Sequence, residues 1–142
     1  MLANYLDDWS ARFGVSVDFH PGPAEKERLP SEIETTIYRI VQEGLTNVLK
    51  HAEASHVSLI LSRNNDQLLS VLEDDGEGFD VDAVLAAGSA GRRLGLAGIR
   101  ERVALAGGTF QIESSPGKGT TLFVRIPLSS RPEIYEPVRI TR

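Results

Sequence analysis

The sequence predicts an α+β fold in which helices cover a mostly antiparallel sheet. Five short stretches alternate apolar and polar residues in the manner of half-buried strands. Four of them fall into two pairs joined by turn-forming residues, so hairpins connect them and little room is left for crossover helices. A length of 142 residues is one domain's worth of chain and enough to bury a sizeable core.

Each element can be justified in order. Leu2, Leu6, Trp9 and Phe13 recur at helical spacing, and Gly14 follows as a C-cap. Val15, Val17 and Phe19 then alternate as a strand that Pro21, Gly22 and Pro23 stop, and the polar "AEKERLP" reads as a loop. Ser31 can cap the next helix, with Glu34 three residues on completing a capping box. Ile33, Ile37, Ile40, Val41, Leu45, Val48 and Leu49 give that helix a wide apolar stripe to about Ala52. Val57, Leu59 and Leu61 alternate in a second strand, "RNND" turns, and a third strand runs from near Leu68 to Asp74. "DAVLAAGSAGRRLG" reads as a short helical stretch and then a mobile segment. Leu96, Ile99, Val103 and Ala106 form one helical face, which Gly107 and Gly108 end. Phe110 and Ile112 face Leu122, Val124, Ile126 and Leu128 across "SSPGKGT". The tail from Ser129, with its prolines and charges, is expected to be poorly ordered.

Composition removes several function classes. A net charge of -5 argues against a general grip on nucleic acid, which needs surplus Lys and Arg over the phosphates. The absence of cysteine excludes disulfides and thiolate metal sites. No apolar run approaches the roughly 18 to 20 residues of a membrane span, and the N-terminus has no signal-peptide pattern.

The residues that can carry chemistry fall in four blocks. Glu43, Asn47 and His51 are spaced four apart on the long helix and share one face, close to the apolar stripe. Glu43 can take a proton, Asn47 can ligate a hard cation such as Mg2+, and His51 and Lys50 can donate to an anion. Spacing alone fits a polar helix edge as well. In "EDDGEGF", Asp74 shares the parity of Leu68 and Leu72 and should point toward the core, where a carboxylate needs donors. Carboxylates repel phosphate, but the exocyclic amine of a base can donate to one. Gly76 and Gly78 would let the backbone pass close to a flat ring. A plain acidic turn has the same composition, whereas an EF-hand calcium loop does not match the spacing. "GLAGIRERV" sets Gly95, Leu96 and Gly98 at a predicted helix start, where free N–H groups and the helix dipole favour an anion. Arg92 and Arg93 precede it; close packing and solvated charge are the plainer explanations. In "GKGTT" Thr120 offers a hydroxyl beside an ordinary glycine turn.

The order "EGLTNVLKHA", "DDGEGF", "GLAGIRERV", "GKGTTL" resembles the ATP-binding catalytic domain of sensor histidine kinases. That domain belongs to the superfamily of gyrase, Hsp90, histidine kinase and MutL nucleotide-binding folds. The subgroup it most resembles feeds LuxR-type response regulators, as nitrate-sensing kinases do. The resemblance implies a two-layer α/β sandwich of the Bergerat type, with a mixed sheet and about three helices. It implies ATP and Mg2+ as ligands, with Asn47 as the metal ligand and Lys50 and His51 near the phosphates. It matches Asp74 to the acceptor of the adenine amine, and Gly76 and Gly78 to the glycines after it. It matches Gly95 and Gly98 to the glycines ending an ATP lid from about Val81 to Leu94, and Thr120 to a second adenine contact. Asp75 departs from the subgroup, which usually has Asn there, and would add charge at the pocket mouth.

Three segments follow from this reading: 1–28, a helix and first strand whose helix resembles the end of a dimerisation region; 29–128, the ATP-binding catalytic domain; and 129–142, the tail. None of His20, His51 and His56 sits in the helical context of a phosphoacceptor. The expectation is therefore the catalytic portion of a longer, homodimeric, cytoplasmic or inner-membrane-anchored kinase. Its γ-phosphate would go to a histidine on a separate dimerisation domain, with Glu43 and Asn47 as the catalytic pair. A response regulator lies downstream, and neither nucleic acid nor membrane is contacted by this portion. Two rivals share the superfamily: a stand-alone ATPase with Glu43 activating water, and a small anti-sigma-factor serine kinase.

Overall fold

A computed structural model describes residues 2–22, 29–64, 66–87 and 90–128, and for residues 51–52, 85–87 and 90–94 the backbone alone. The predicted tail and most of the predicted loop before Leu29 lie outside the described residues. In chain order the elements are α1 (Leu2–Phe13), β1 (Ser16–His20), α2 (Ser31–Asn47) with a π-helical turn (Val48–Ala52), β2 (His56–Arg63), β3 (Gln67–Asp74), α3 (Val81–Ala87), α4 (Ala90–Leu105), β4 (Thr109–Ser114) and β5 (Thr120–Pro127).

The strands form one sheet in the order β1-β2-β3-β5-β4, with β1 parallel to β2 and every other pair antiparallel. The β2–β3 turn is held by Asn64, whose Oδ1 accepts from the N–H groups of Asp66 and Gln67, both at 2.9 Å. Register then aligns the inward residues in rows. Leu59, Leu72, Leu122 and Ile112 make one row; Val57, Asp74, Thr120 and Ser114 make the next, at the end of the sheet. The change from an apolar to a polar row is what positions the site.

The helices cover this face. Ile37, Ile40, Val41 and Leu45 of α2 and Leu96, Ile99 and Val103 of α4 enter one buried cluster with Leu59, Leu68, Val124 and Ile126. Each such side chain contributes about 1.5–3 kcal/mol by leaving water. Leu6 and Trp9 of α1 belong to the same cluster, and the ring of Tyr5 meets Tyr38 of α2 edge-on at 5.3 Å. Among the described residues no helix is long and apolar enough to cross a membrane.

Three details depart from the sequence reading. Pro30, not Ser31, stands at the N-cap of α2: its carbonyl accepts from the N–H groups of Ile33 and Glu34 at 2.9 and 3.0 Å, and no side chain caps the helix. Phe13 is 43% exposed, because α1 ends before its stripe reaches the core again, and it lies against Trp9 instead. Most consequential, α4 begins at Ala90, where a mobile segment was expected. Ala, Arg and Leu are strong helix formers, and Leu96 and Ile99 anchor the continuing turns in the core. Gly95 and Gly98 thus lie inside α4 and not among its free first-turn N–H groups, so the anion-binding argument from a helix start does not apply to them here.

Candidate functional site

Asp74 is the last residue of β3, and strand alternation decides its surroundings. Leu68, Ser70 and Leu72 share its face and are buried, and Asp74 itself is 9% exposed. A carboxylate so placed requires donors. One is local: the Gly76 N–H donates to Asp74 Oδ1 at 2.8 Å. Across the sheet Asp74 stands opposite Thr120, and Thr120 opposite Ser114.

The loop after Asp74 is bound to the β4–β5 hairpin by close backbone approach. Ser114 Oγ accepts from the Phe79 N–H at 2.9 Å, and the Gly117 N–H donates to the Glu77 carbonyl. A Cβ on Gly78 (φ +67°) would strike the Ser115 carbonyl, and one on Gly119 (φ +74°) would strike the carbonyl of Asp74. The nearest neighbour of Gly78 is therefore the hairpin, although Gly78 also lines the cavity described below. Gly76 acts through its N–H on Asp74.

The other wall comes from the helices. α2 lies so close to β3 that a Cβ on Gly44 would strike the Leu72 side chain. This brings Asn47, at the last turn of α2, over the same end of the sheet. Asn47 Nδ2 is buried and has no hydrogen-bond partner. Gly95 of α4 presses on the amide from above, where a Cβ would sit 2.5 Å from Oδ1 and 3.0 Å from Nδ2. One cavity gathers Asn47, Asp74, Gly78, Leu96 and Thr120, with Phe79 at its side. Its volume is about 30 Å³, room for a water or two. A heterocycle would enter only after the walls part.

A metal ion fits one part of this arrangement. Among the described residues no group of three His, Cys, Asp or Glu side chains gathers around a point. An ion beside Asn47 would have an amide oxygen as its protein ligand and would take the rest from phosphate and water, the manner in which Mg2+ is ordinarily held. The atom left without a partner is the amide nitrogen, a donor that would serve an anionic oxygen beside such an ion and not the ion itself.

The remaining sequence candidates are less closely gathered. Glu43 lies one turn before Asn47 on α2 but does not line the cavity; nor do Gly76, Gly95 and Gly98, although Gly95 touches Asn47. Lys50 is exposed on the π-helical turn; the side chains of His51, Arg92 and Arg93 lie outside the described residues. Asp75 does not add its charge at the pocket mouth as anticipated. Its carboxylate turns to the start of β2, accepting from Ser55 N and Oγ at 2.9 and 3.0 Å and from His56 N at 3.0 Å. The His56 N–H, aided by Ser55, holds this carboxyl below its ordinary range. Sequence reasoning missed Gly44, Phe79 and Ser114. Ser114 was discoverable, because it mirrors Thr120 across the hairpin and so must share its face.

Comparison with known proteins agrees with this geometry. Residues 32–130 match the family described as histidine kinase-, DNA gyrase B-, and HSP90-like ATPase. An uncharacterized sensor-like histidine kinase of Chloroflexus aurantiacus is 40% identical over 131 residues, 91% of this chain and 22% of that protein. The signal transduction histidine-protein kinase/phosphatase DegS of Brevibacillus brevis is 36% identical over 130 residues, 91% of this chain and 32% of its own. Among solved structures, the histidine kinase domain of the blue-light activated histidine kinase of Erythrobacter litoralis superposes with a TM-score of 0.74 at 27% identity, over 92% of this chain and 64% of that one. The chain thus spans about a fifth to a third of the curated relatives it matches. Its sheet order, its helical layer and its matched residues agree: the chain belongs to the histidine kinase-, DNA gyrase B-, and HSP90-like ATPase family.

Proposed function

We propose that this chain binds ATP with Mg2+ and supplies the γ-phosphate to a histidine on a separate dimerisation domain of a two-component sensor kinase. The observation that carries the reading is the convergence of Asp74, Thr120 and Asn47, from three elements, on one cavity. Asp74 would accept from the adenine amine, with Thr120 beside it. Gly76 and Gly78 fix the loop that shapes this end. Asn47 would hold Mg2+, which when bound neutralises phosphate charge and helps align the transferring group. Lys50 and His51, on the turn after Asn47, would meet the phosphates. Gly95, Leu96 and Gly98 belong to the helix that must shift to admit them. Glu43, a turn before Asn47, would take the proton of the acceptor.

Phosphoryl transfer asks mainly for positioning and charge stabilisation, so a portion of chain with these parts and an external acceptor suffices. The resemblance supports a LuxR-type response regulator downstream, a homodimeric parent, and a cytoplasmic location for this portion, whether the parent is free or anchored at the inner membrane. Hydrolysis by Glu43-activated water is less well supported, because the relatives this chain matches are named histidine kinases.

Calorimetric titration with ATP, with and without Mg2+, tests the reading. Binding should weaken by about tenfold or more in Asp74→Asn, which replaces one acceptor with a donor facing the amine. Binding indifferent to Asp74 would overturn it.

A further inference from the structure

We infer that Ser114 is a positioning residue that fixes the Thr120 hydroxyl as a hydrogen-bond acceptor toward the pocket, so that this wall selects a purine bearing an amine. The inference rests on the nucleotide-binding reading above and adds to it a residue and a polarity.

Hydrogen counting at Ser114 carries the argument. Its Oγ has one hydrogen and three polar neighbours: the Phe79 N–H at 2.9 Å, the Gly119 carbonyl at 2.9 Å and Thr120 Oγ1 at 2.8 Å. The Phe79 N–H can only donate, and the Gly119 carbonyl can only accept. Gly119 is buried in the hairpin, so its carbonyl is costly to leave without this donor. The Ser114 hydrogen therefore goes to Gly119. Ser114 Oγ then receives both the Phe79 N–H and the hydroxyl hydrogen of Thr120. Thr120 has no second hydrogen, so only its lone pairs remain for the cavity that it lines.

The sheet makes this arrangement firm. Ser114 and Thr120 are directly paired across β4 and β5, and Thr120 and Asp74 across β5 and β3. The three polar side chains thus stand in one row, with Ser114 farthest from Asp74. Beside a carboxylate, a rotatable hydroxyl would serve amine and carbonyl edges alike. A hydroxyl whose hydrogen is already committed serves the amine alone. A 6-amino purine meets two acceptors, whereas a 6-oxo purine sets its own oxygen against them. Sites built around fixed hydrogen-bonding groups discriminate strongly in this way.

The test compares ATP with inosine triphosphate in calorimetric titrations of the chain, its Ser114→Ala and Ser114→Thr variants, and Thr120→Val. Ser114→Ala frees the Thr120 hydrogen, and the ATP-to-inosine-triphosphate affinity ratio should fall about three- to tenfold, the scale of one neutral hydrogen bond. Ser114→Thr keeps the hydroxyl and should restore the ratio. An equal loss for both nucleotides in Ser114→Ala would mean a merely structural role and would overturn the inference, leaving the function standing. If Ser114→Ala fails to fold, Thr120→Val decides: loss confined to ATP supports a fixed acceptor, and loss for both nucleotides overturns it. Failure of the unmodified chain to bind either nucleotide would overturn the inference together with the function beneath it.

Discussion

Around Asp74 the pocket wall is a row of the sheet, in which carboxylate and hydroxyls meet partners at 2.8–2.9 Å. Around Asn47 it is a helix face, in which a buried amide nitrogen has none and Gly95 fills the space above. Strand register builds the first region: once Leu72 pairs with Leu122, the next inward row must contain Asp74, Thr120 and Ser114. Helix packing builds the second, and packed helices can slide or lift while strands stay paired. The sheet wall is therefore fixed by pairing in the folded chain, and the helix wall is the one that can move. On the proposed function, the preorganised wall is the one that would read the base.

The largest effect expected from this difference is at Gly78. Alanine there combines a positive φ with a Cβ driven into the Ser115 carbonyl, and backbone on both sides of the contact cannot yield as a side chain would. Gly78→Ala should lower unfolding free energy by about 3 kcal/mol in denaturant melts. A loss below about 1 kcal/mol would mean that the sheet wall is as adaptable as the helix wall, and the comparison would fail.

A smaller effect, with a change of sign, separates two glycines of α4. At Gly98 a Cβ meets nothing within 4 Å, so Gly98→Ala should stabilise the helix by about 0.5–1 kcal/mol. At Gly95 the same methyl group is pressed on the Asn47 amide. Gly95→Ala should forfeit the gain and cost about 1 kcal/mol, as α4 lifts or Asn47 turns aside. Paired unfolding curves check this. Equal stabilisation by both alanines would show that α4 does not bear on Asn47 and would remove the contrast between the two walls.

How much of this was legible follows from the same contrast. Period-two alternation put Asp74 on the inward face, and the hairpin spacing paired β4 with β5, because both depend only on neighbours along the chain or across one turn. Cross-strand pairing of the two hairpins, which sets Thr120 opposite Asp74, is a long-range choice. No local pattern in "GKGTT" announces it. The start of α4 was misplaced for the opposite reason. "AGRRLG" carries two glycines, which favour loops, and its Ala, Arg and Leu together with burial of Leu96 and Ile99 override that preference. The cap of α2 shows a third kind of error. Ser31 has the right chemistry, but Pro30 already stands at the N-cap, so Ser31 falls one position inside the helix and its hydroxyl makes no cap bond.

Asp75 links the two regions and gives the smallest and most specific expectation. It follows Asp74 directly, yet its carboxylate reaches back to Ser55 and His56, just beyond the π-helical turn that continues from Asn47. It thereby ties the end of the rigid row to the connection leaving the adaptable helix. Its carboxyl is held below the ordinary value of 3.8 by the His56 and Ser55 donors. A depressed folded-state pKa contributes stability that is complete above the ordinary carboxylate range and is lost as pH falls through the folded value. Asp75→Asn keeps an oxygen for the two N–H groups and discards the charge. The variant should be slightly less stable than the unmodified chain near neutral pH, and the two should converge as pH falls below about 4. Denaturant midpoints measured across that range check it. Curves that stay parallel to the acid limit would mean that the Asp75 charge contributes nothing to the tie, and that the two regions are joined by packing alone.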